Sequence, residues 1–280
     1  MTFITKVAPV IGVAALAISS AAYAQDGEPY FDGPYISGTI GLETADDGAG
    51  DRIVFDTDGD GAFNDDVITA AGADAFSPGF CAGSATAATP GCRGNRQNEG
   101  YALRVGYDKQ MGDGPFVAGV LIEGAKPGVE EFTTAFSTTP ASYTFQREID
   151  WAVNARARLG ISPGAGRTLF YATGGVGYAR IERAFTTSNG VNSFTPSDNN
   201  DWQFGWQAGG GAEIMLTRNL GLGLEYLYSS YNDDEYTVAV GPGTAPATNP
   251  FLLESGGTDM RLSNDRFDYH ALRATVNLRF

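Results

Sequence analysis

The stretch Asp56-Thr57-Asp58-Gly59-Asp60-Gly61-Ala62-Phe63-Asn64-Asp65-Asp66 sets carboxylates at positions one, three and five and a glycine at position six. Oxygens at alternate positions can converge on one cation while the glycine makes the sharp turn, which is how an EF-hand-type calcium loop begins. Position twelve is Val67, where that loop uses a bidentate glutamate, so the expected ligands are Asp56, Asp58 and Asp60 with Asp65 or Asp66 standing in. A solvated acidic loop would use the same residues, and an ion here would be held weakly because nothing rigid is expected around it. Cys81 and Cys92 are the two cysteines. A pair this close in sequence, in an oxidising compartment, is expected to close a small loop as a disulfide. His270 is the sole histidine. Nucleophilic catalysis would need a hydroxyl within hydrogen-bond reach of it and a third orienting group. Its neighbours Ala271 and Leu272 supply neither, and no catalytic set is expected.

These groups are carried by strands and the connections between them. From Arg266 to Phe280, the apolar Leu272, Ala274, Val276 and Leu278 alternate with Arg273, Thr275, Asn277 and Arg279; a period of two is a strand. Seven further segments read the same way, over residues 34–43, 99–109, 115–125, 149–161, 167–182, 201–215 and 220–231. The second sets Tyr101, Leu103, Val105 and Tyr107 against Ala102, Arg104, Gly106 and Asp108. The fifth holds Gly174, Gly175 and Gly177, which permit a bend or close approach and leave its facing least defined. Short turns near residues 110–114, 162–166 and 217–219 alternate with long connections at about 44–97, 126–148, 183–200 and 232–265. The second long connection has alternating segments of its own on either side of Thr139-Pro140, so strands three and four are expected to continue as a hairpin.

An apolar outer face, a polar inner face and an even strand count with short turns on one side describe an all-β, eight-stranded antiparallel up-and-down transmembrane barrel. Composition agrees: 38 glycines, 13 tyrosines, 17 phenylalanines and only 18% charged residues suit short aromatic strands. The net charge of -15 excludes nucleic acid as a partner, because phosphate binding needs a basic surface. Lys6, the apolar run Val7 to Ile18 and Ala22-Tyr23-Ala24 form a secretory leader over residues 1–24, leaving a barrel domain over 25–280. The apolar run is shorter than the roughly 20 residues of a spanning helix, so strands must make any membrane span. The expected location is the outer membrane of a Gram-negative bacterium, with the long loops outside and the short turns in the periplasm. The strand phases turn Arg104, Arg156, Arg158, Arg273 and Arg279 inward with Glu123, Glu213 and Glu225. Eight strands enclose an interior just wide enough for side chains, so these groups should pair and leave no wide channel.

Gly33-Pro34-Tyr35-Ile36-Ser37-Gly38, Tyr171-Ala172-Thr173-Gly174-Gly175-Val176-Gly177-Tyr178, Trp206-Gln207-Ala208-Gly209-Gly210-Gly211 and the final Leu278-Arg279-Phe280 carry a family resemblance. The chain resembles the OmpA-type, porin-like outer membrane β-barrel proteins, a group that includes opacity proteins and small alphaproteobacterial surface antigens. The resemblance implies contact with outer membrane lipid and lipopolysaccharide, and a terminal aromatic, here Phe280, read by the barrel assembly machinery. The expected function is non-catalytic: anchoring acidic surface loops in an envelope-structural or surface-interaction role. A narrow passive pore and a calcium-dependent adhesin are the alternatives.

Overall fold

A computed structural model describes residues 29–46, 51–95, 98–164, 166–197, 200–233 and 236–280; the expected leader lies outside them. Eight long strands form the body: β1 (Gly33–Ala45), β2 (Asn98–Gln110), β3 (Phe116–Lys126), β4 (Ala141–Ile161), β5 (Thr168–Thr187), β6 (Asn200–Met215), β7 (Leu220–Asn232) and β8 (Arg266–Arg279). Each pairs antiparallel with the next, and β8 closes on β1, with Tyr35 opposite Arg279 and Ala45 opposite Tyr269. The expected barrel is therefore present with its expected strand count.

Side-chain alternation decides the facing. Leu103, Val105, Val120, Ile122, Val153, Leu159, Leu224 and Val276 are exposed on the outer wall, while Arg104, Glu123, Asn154, Arg156, Glu225 and Arg273 are buried inside. Tyr101, Trp151, Tyr178, Trp202 and Tyr226 ring one end of the exposed band, and Tyr107, Phe116, Phe170 and Phe280 ring the other. From Trp151 to Ile161 on β4, a rise of ~3.3 Å per residue and a tilt of about 40° span about 25 Å, the height of an outer-membrane apolar band. The glycines of β5 have a clear reason. A Cβ at Gly175 would overlap the β4 backbone and one at Gly177 would overlap the Asn154 side chain, so these two positions face inward where space is short.

A strict period of two fails at one point on β4. The pairing with β5 slips between Arg180 and Ile181, leaving Asp150 as an extra residue. Below this bulge the even positions 152, 154, 156 and 158 are buried; above it the odd positions 147 and 149 are. The bulge thus turns Arg147 and Ile149 inward.

Strands β4 and β5, of 21 and 20 residues, are about twice as long as a bilayer requires. Their surplus stands outside the membrane. Residues Glu130–Ser137 pair with the upper part of β4 as the expected hairpin, and Gly79–Ala82 adds to its edge. The other long connections, expected as acidic surface loops, carry short strands of their own that the sequence did not show. Ile53–Asp56, Thr258–Leu262, Thr237–Gly241 and Ser193–Pro196 pair in that order into a second, four-stranded antiparallel sheet. Ile53, Phe55, Val238, Val240 and Met260 from this sheet share one core with Ala135, Tyr143 and Phe145 from the hairpin. Phe76 lies within that core, stacked on Phe55 at 4.6 Å between centroids and edge-on to Tyr143 at 5.3 Å and Phe251 at 5.8 Å. The loops therefore make a folded cap of two layers.

Truncating a buried phenylalanine costs about 3–5 kcal/mol through lost burial and the cavity left behind. Phe76→Ala is expected to raise hydrogen exchange through residues 53–76 and 237–262 while the barrel keeps its heat-modifiable mobility on SDS gels. Exchange unchanged in the cap would mean that Phe76 is not its keystone.

Candidate functional site

The lumen is filled in layers. At the periplasmic end Phe31, Val117, Leu169, Tyr171 and Met215 form an apolar stopper. Above it Arg158 holds Asp108 with two guanidinium nitrogens and reaches Glu213 at 3.4 Å, while Arg279 joins Asp108 at 2.7 Å and Glu213 at 3.0 Å. Both cations also lie over the Tyr35 ring, at 4.6 and 4.8 Å. In the middle, Glu123 receives Arg104, Arg156 at 2.9 Å and Arg273 at 3.0 Å. Glu225 receives Arg104, Arg156 at 3.2 Å and the Tyr171 hydroxyl at 2.9 Å. Arg273 bonds Glu43 at 2.6 Å. A second apolar layer, including Ile149, Ile181, Leu227, Tyr231, Phe267 and Tyr269, covers this network from above.

All eight lumen residues expected from the sequence are buried here, in two clusters. Two partners were absent from that expectation: Glu43 on β1 and Asp108 on β2. Five arginines against three glutamates left two positive charges over, and strand phase placed Asp108 on the inner side and Glu43 in step with Tyr35. Charge balance was the signal.

Above the second apolar layer, outside the row of Trp151, a third cluster joins barrel to cap. Arg147 bonds Glu131 at 2.6 Å and Asp233 at 2.8 Å and donates to the Arg266 carbonyl at 3.1 Å, while Arg183 meets Asp233 at 2.5 Å. Burial pushes the Glu131 carboxyl up to about 7, outweighing the pull of Arg147, and the charges of Asp51 and Asp233 add to the rise.

The acidic stretch sits at the end of a cap strand. Asp56, Asp58 and Asp60 each offer a carboxylate oxygen, and these lie within 4.8 Å of one another. Asp56 is buried and accepts the Gly59 and Gly61 N–H groups at 2.7 and 2.9 Å, with Gly61 at φ 87° as a sixth-position turn requires. The Asp58 carboxyl is lowered by the Asp60 N–H, but desolvation and the charges of Asp60, Asp65 and Asp56 leave it raised on balance. Asp65 is turned away: its carboxylate accepts the Thr57 N–H at 2.8 Å, while the Thr57 hydroxyl donates to Glu254 at 2.7 Å. Val67 is part of the cap core. Three carboxylates therefore fit a cation, with the remaining oxygens of a six- to eight-coordinate calcium left to carbonyls and water.

Cys81 and Cys92 are joined as a disulfide, with Cα atoms 6.5 Å apart. His270 lies on the outer wall, its Nδ1 2.7 Å from the Tyr226 hydroxyl and its ring 5.1 Å from that of Tyr228. Phe280 is half-exposed and its N–H donates to the Pro34 carbonyl at 3.1 Å. At the tip of the cap, residues from all four long connections, among them Phe76, Tyr143, Asn189 and Phe251, enclose a cavity of about 200 Å³.

An apolar wall of closed strands around a salt-bridged lumen defines a transmembrane barrel of the bacterial outer membrane. The chain belongs to the outer membrane protein beta-barrel domain family, whose profile matches residues 11–280. It is 34% identical over 136 residues to the 31 kDa outer-membrane immunogenic proteins of Brucella melitensis biotype 1 and Brucella suis biovar 1. The match covers 48% of this chain, which spans about half the length (48%) of those relatives. Among solved structures, OprG from Pseudomonas aeruginosa overlays at a TM-score of 0.48 with 12% identity, over 90% of this chain and 99% of that one. Neisserial surface protein A overlays at 0.38 with 11% identity, over 89% and 98%. The protein resides in the outer membrane of a Gram-negative bacterium, in contact with its lipid and lipopolysaccharide.

Glu131 gives the cap a pH dependence. Its carboxyl titrates near 4.5 when exposed and near 7 when buried, so the closed cap binds a proton that the opened cap releases. The stability it contributes is full below pH 4.5 and is lost as pH rises through about 7. Exchange at residues 130–147, corrected for the intrinsic rate, is expected to be slower at pH 5.5 than at pH 8, and Glu131→Gln should flatten the difference. The same slope in the variant would assign it to another group.

Proposed function

We propose that this protein is a non-conducting, non-catalytic barrel that presents a rigid acidic cap outside the cell, in a surface-interaction role. The observation that carries this reading is the single apolar core shared by segments of all the long connections that form the cap. Ordering that much chain opposes folding by about 1–2 kcal/mol per residue. A shared core supplies the compensating burial and fixes one surface, which a tether or spacer would not need. A narrow pore is the weaker reading, because an ion would have to cross two apolar layers and the salt-bridged clusters between them. Phe280, on the outer wall at the end of β8, suits recognition by the barrel assembly machinery.

Planar bilayers containing the purified protein should stay silent. Steady single-channel steps that vanish on adding a blocking substitution such as Ala271→Trp would establish the pore instead. Whole cells carrying the protein should bind a host or neighbouring-cell surface, and cells with the cap strands replaced by short turns should not.

A second reading, calcium-dependent surface binding, is favoured by the convergence of Asp56, Asp58 and Asp60. Calcium would neutralise their mutual repulsion and stiffen residues 56–66 on a cap already folded. Calorimetry should give a Kd of about 10⁻⁴–10⁻³ M, the range of extracellular modules, that is abolished by Asp58→Asn/Asp60→Asn. No heat at millimolar calcium would remove the ion.

A further inference from the structure

The outer wall carries an apolar groove of about 610 Å³ across β8, β1, β2 and β3. Its floor is one outward row in which Gly38 pairs with Val276 and with Leu103, and Leu103 pairs with Gly124. The row above holds Ala274, Ile40, Tyr101 and Lys126 in the same register, with Trp151 beside Lys126. Gly38 and Gly124 are unlike most glycines of the barrel strands. A Cβ at Gly41, Gly100, Gly106, Gly175 or Gly205 would overlap protein atoms, whereas one at Gly38 or Gly124 would meet nothing within 4 Å. Glycine weakens a strand, and nothing within the protein calls for it at these two positions. The space they leave opens into the bilayer.

The groove's mouth identifies the occupant. Lys126 is one of three lysines in the chain. It stands at the extracellular edge of the groove, half-exposed, with Nζ 5.5 Å over the Trp151 ring and 2.9 Å from Asp150. A cation at the head of an apolar track matches a phosphate at the head of acyl chains, and its position selects the outer leaflet. The two notches flank Leu103 and lie two strands apart, about 10 Å. Chains on one glycerol run side by side, so two tracks separated by a ridge suit chains spread along a disaccharide.

We propose that this face is a binding site for one phosphorylated, multiply acylated glycolipid of the outer leaflet, the lipid A portion of lipopolysaccharide. Acyl chains fill the notches at Gly38 and Gly124 on either side of Leu103, and a phosphate displaces Asp150 as the partner of Lys126. The inference is independent of what the cap binds.

The test uses the full purified protein, folded in detergent with lipid A or with phosphatidylglycerol, and native mass spectrometry to count retained lipid. The wild type should keep one lipid A and no phosphatidylglycerol. Gly38→Leu and Gly124→Leu, whose added side chains project into open space, should each lower retention about tenfold, a loss of ~1.4 kcal/mol. Lys126→Ala adds no bulk to the groove and should lower it as well, which keeps the test available if a leucine variant fails to fold. Equal retention of phosphatidylglycerol, unchanged retention in all three variants, or a doubled protein mass without lipid would overturn the proposal; the last would make the groove a contact between two copies.

Discussion

Neutrality of the sealed lumen is the constraint on which the rest of the structure depends. Five arginines, at positions 104, 156, 158, 273 and 279, are enclosed by a wall whose outside is hydrocarbon, so no solvent can screen them. An unpaired ion there would cost several kcal/mol. Glu43, Glu123, Glu225, Asp108 and Glu213 match them one for one, and every arginine meets at least two carboxylates. Sharing matters as much as balance. Because Glu123 serves three guanidinium groups from three strands, strand register is tied to charge pairing across the barrel. A slip of one residue would face these ions to lipid.

The same wall explains why a cap exists at all. Strands β4 and β5 continue well past the outer aromatic ring, and their paired surplus is a two-stranded ribbon that is barely stable alone in water. The bulge at Asp150 reverses the phase of β4 where it leaves the membrane, so Arg147, Phe145 and Tyr143 turn toward the space above the barrel. Once those side chains point there, apolar residues of the other connections have something to cover. Phe55, Phe76, Val240, Phe251 and Met260 do so. The Arg147 cluster then joins the base of the cap to the ends of the last long connection through Asp233 and the Arg266 carbonyl.

Barrel strands were legible in the sequence because each carries a two-residue period imposed by one apolar and one polar environment, and boundaries fell within a few residues except where β4 and β5 run on. The cap was not. Its strands, such as Ile53–Asp56 and Thr237–Gly241, are four or five residues long and pair with segments of other long connections. A window that short shows too few alternations to register, and local sequence carries no record of a distant partner. Among site residues, inward-facing arginines could be read from phase alone. Glu43 was harder to see, since glycines at 38 and 41 blur the alternation of β1. The acidic stretch shows its spacing in the sequence but not its support: Asp56 is anchored at the end of a sheet strand, and Asp65 is engaged by Thr57 instead of joining Asp56, Asp58 and Asp60.

A filled lumen also narrows where function can lie. Transport along the axis would require the second apolar layer to part, and that layer contains Tyr231, Tyr269 and Phe267, all fully buried and backed by strand pairs on either side. On the proposed reading, the two surfaces left to meet other molecules are the cap facing the medium and the wall facing lipid. Each departs from what folding alone demands. The cap gathers Asp56, Asp58 and Asp60 within 4.8 Å despite their repulsion, and the wall keeps Gly38 and Gly124 where larger side chains would fit. A locally unfavourable choice that the protein does not need for its own packing is where selection by something outside it is most readily seen.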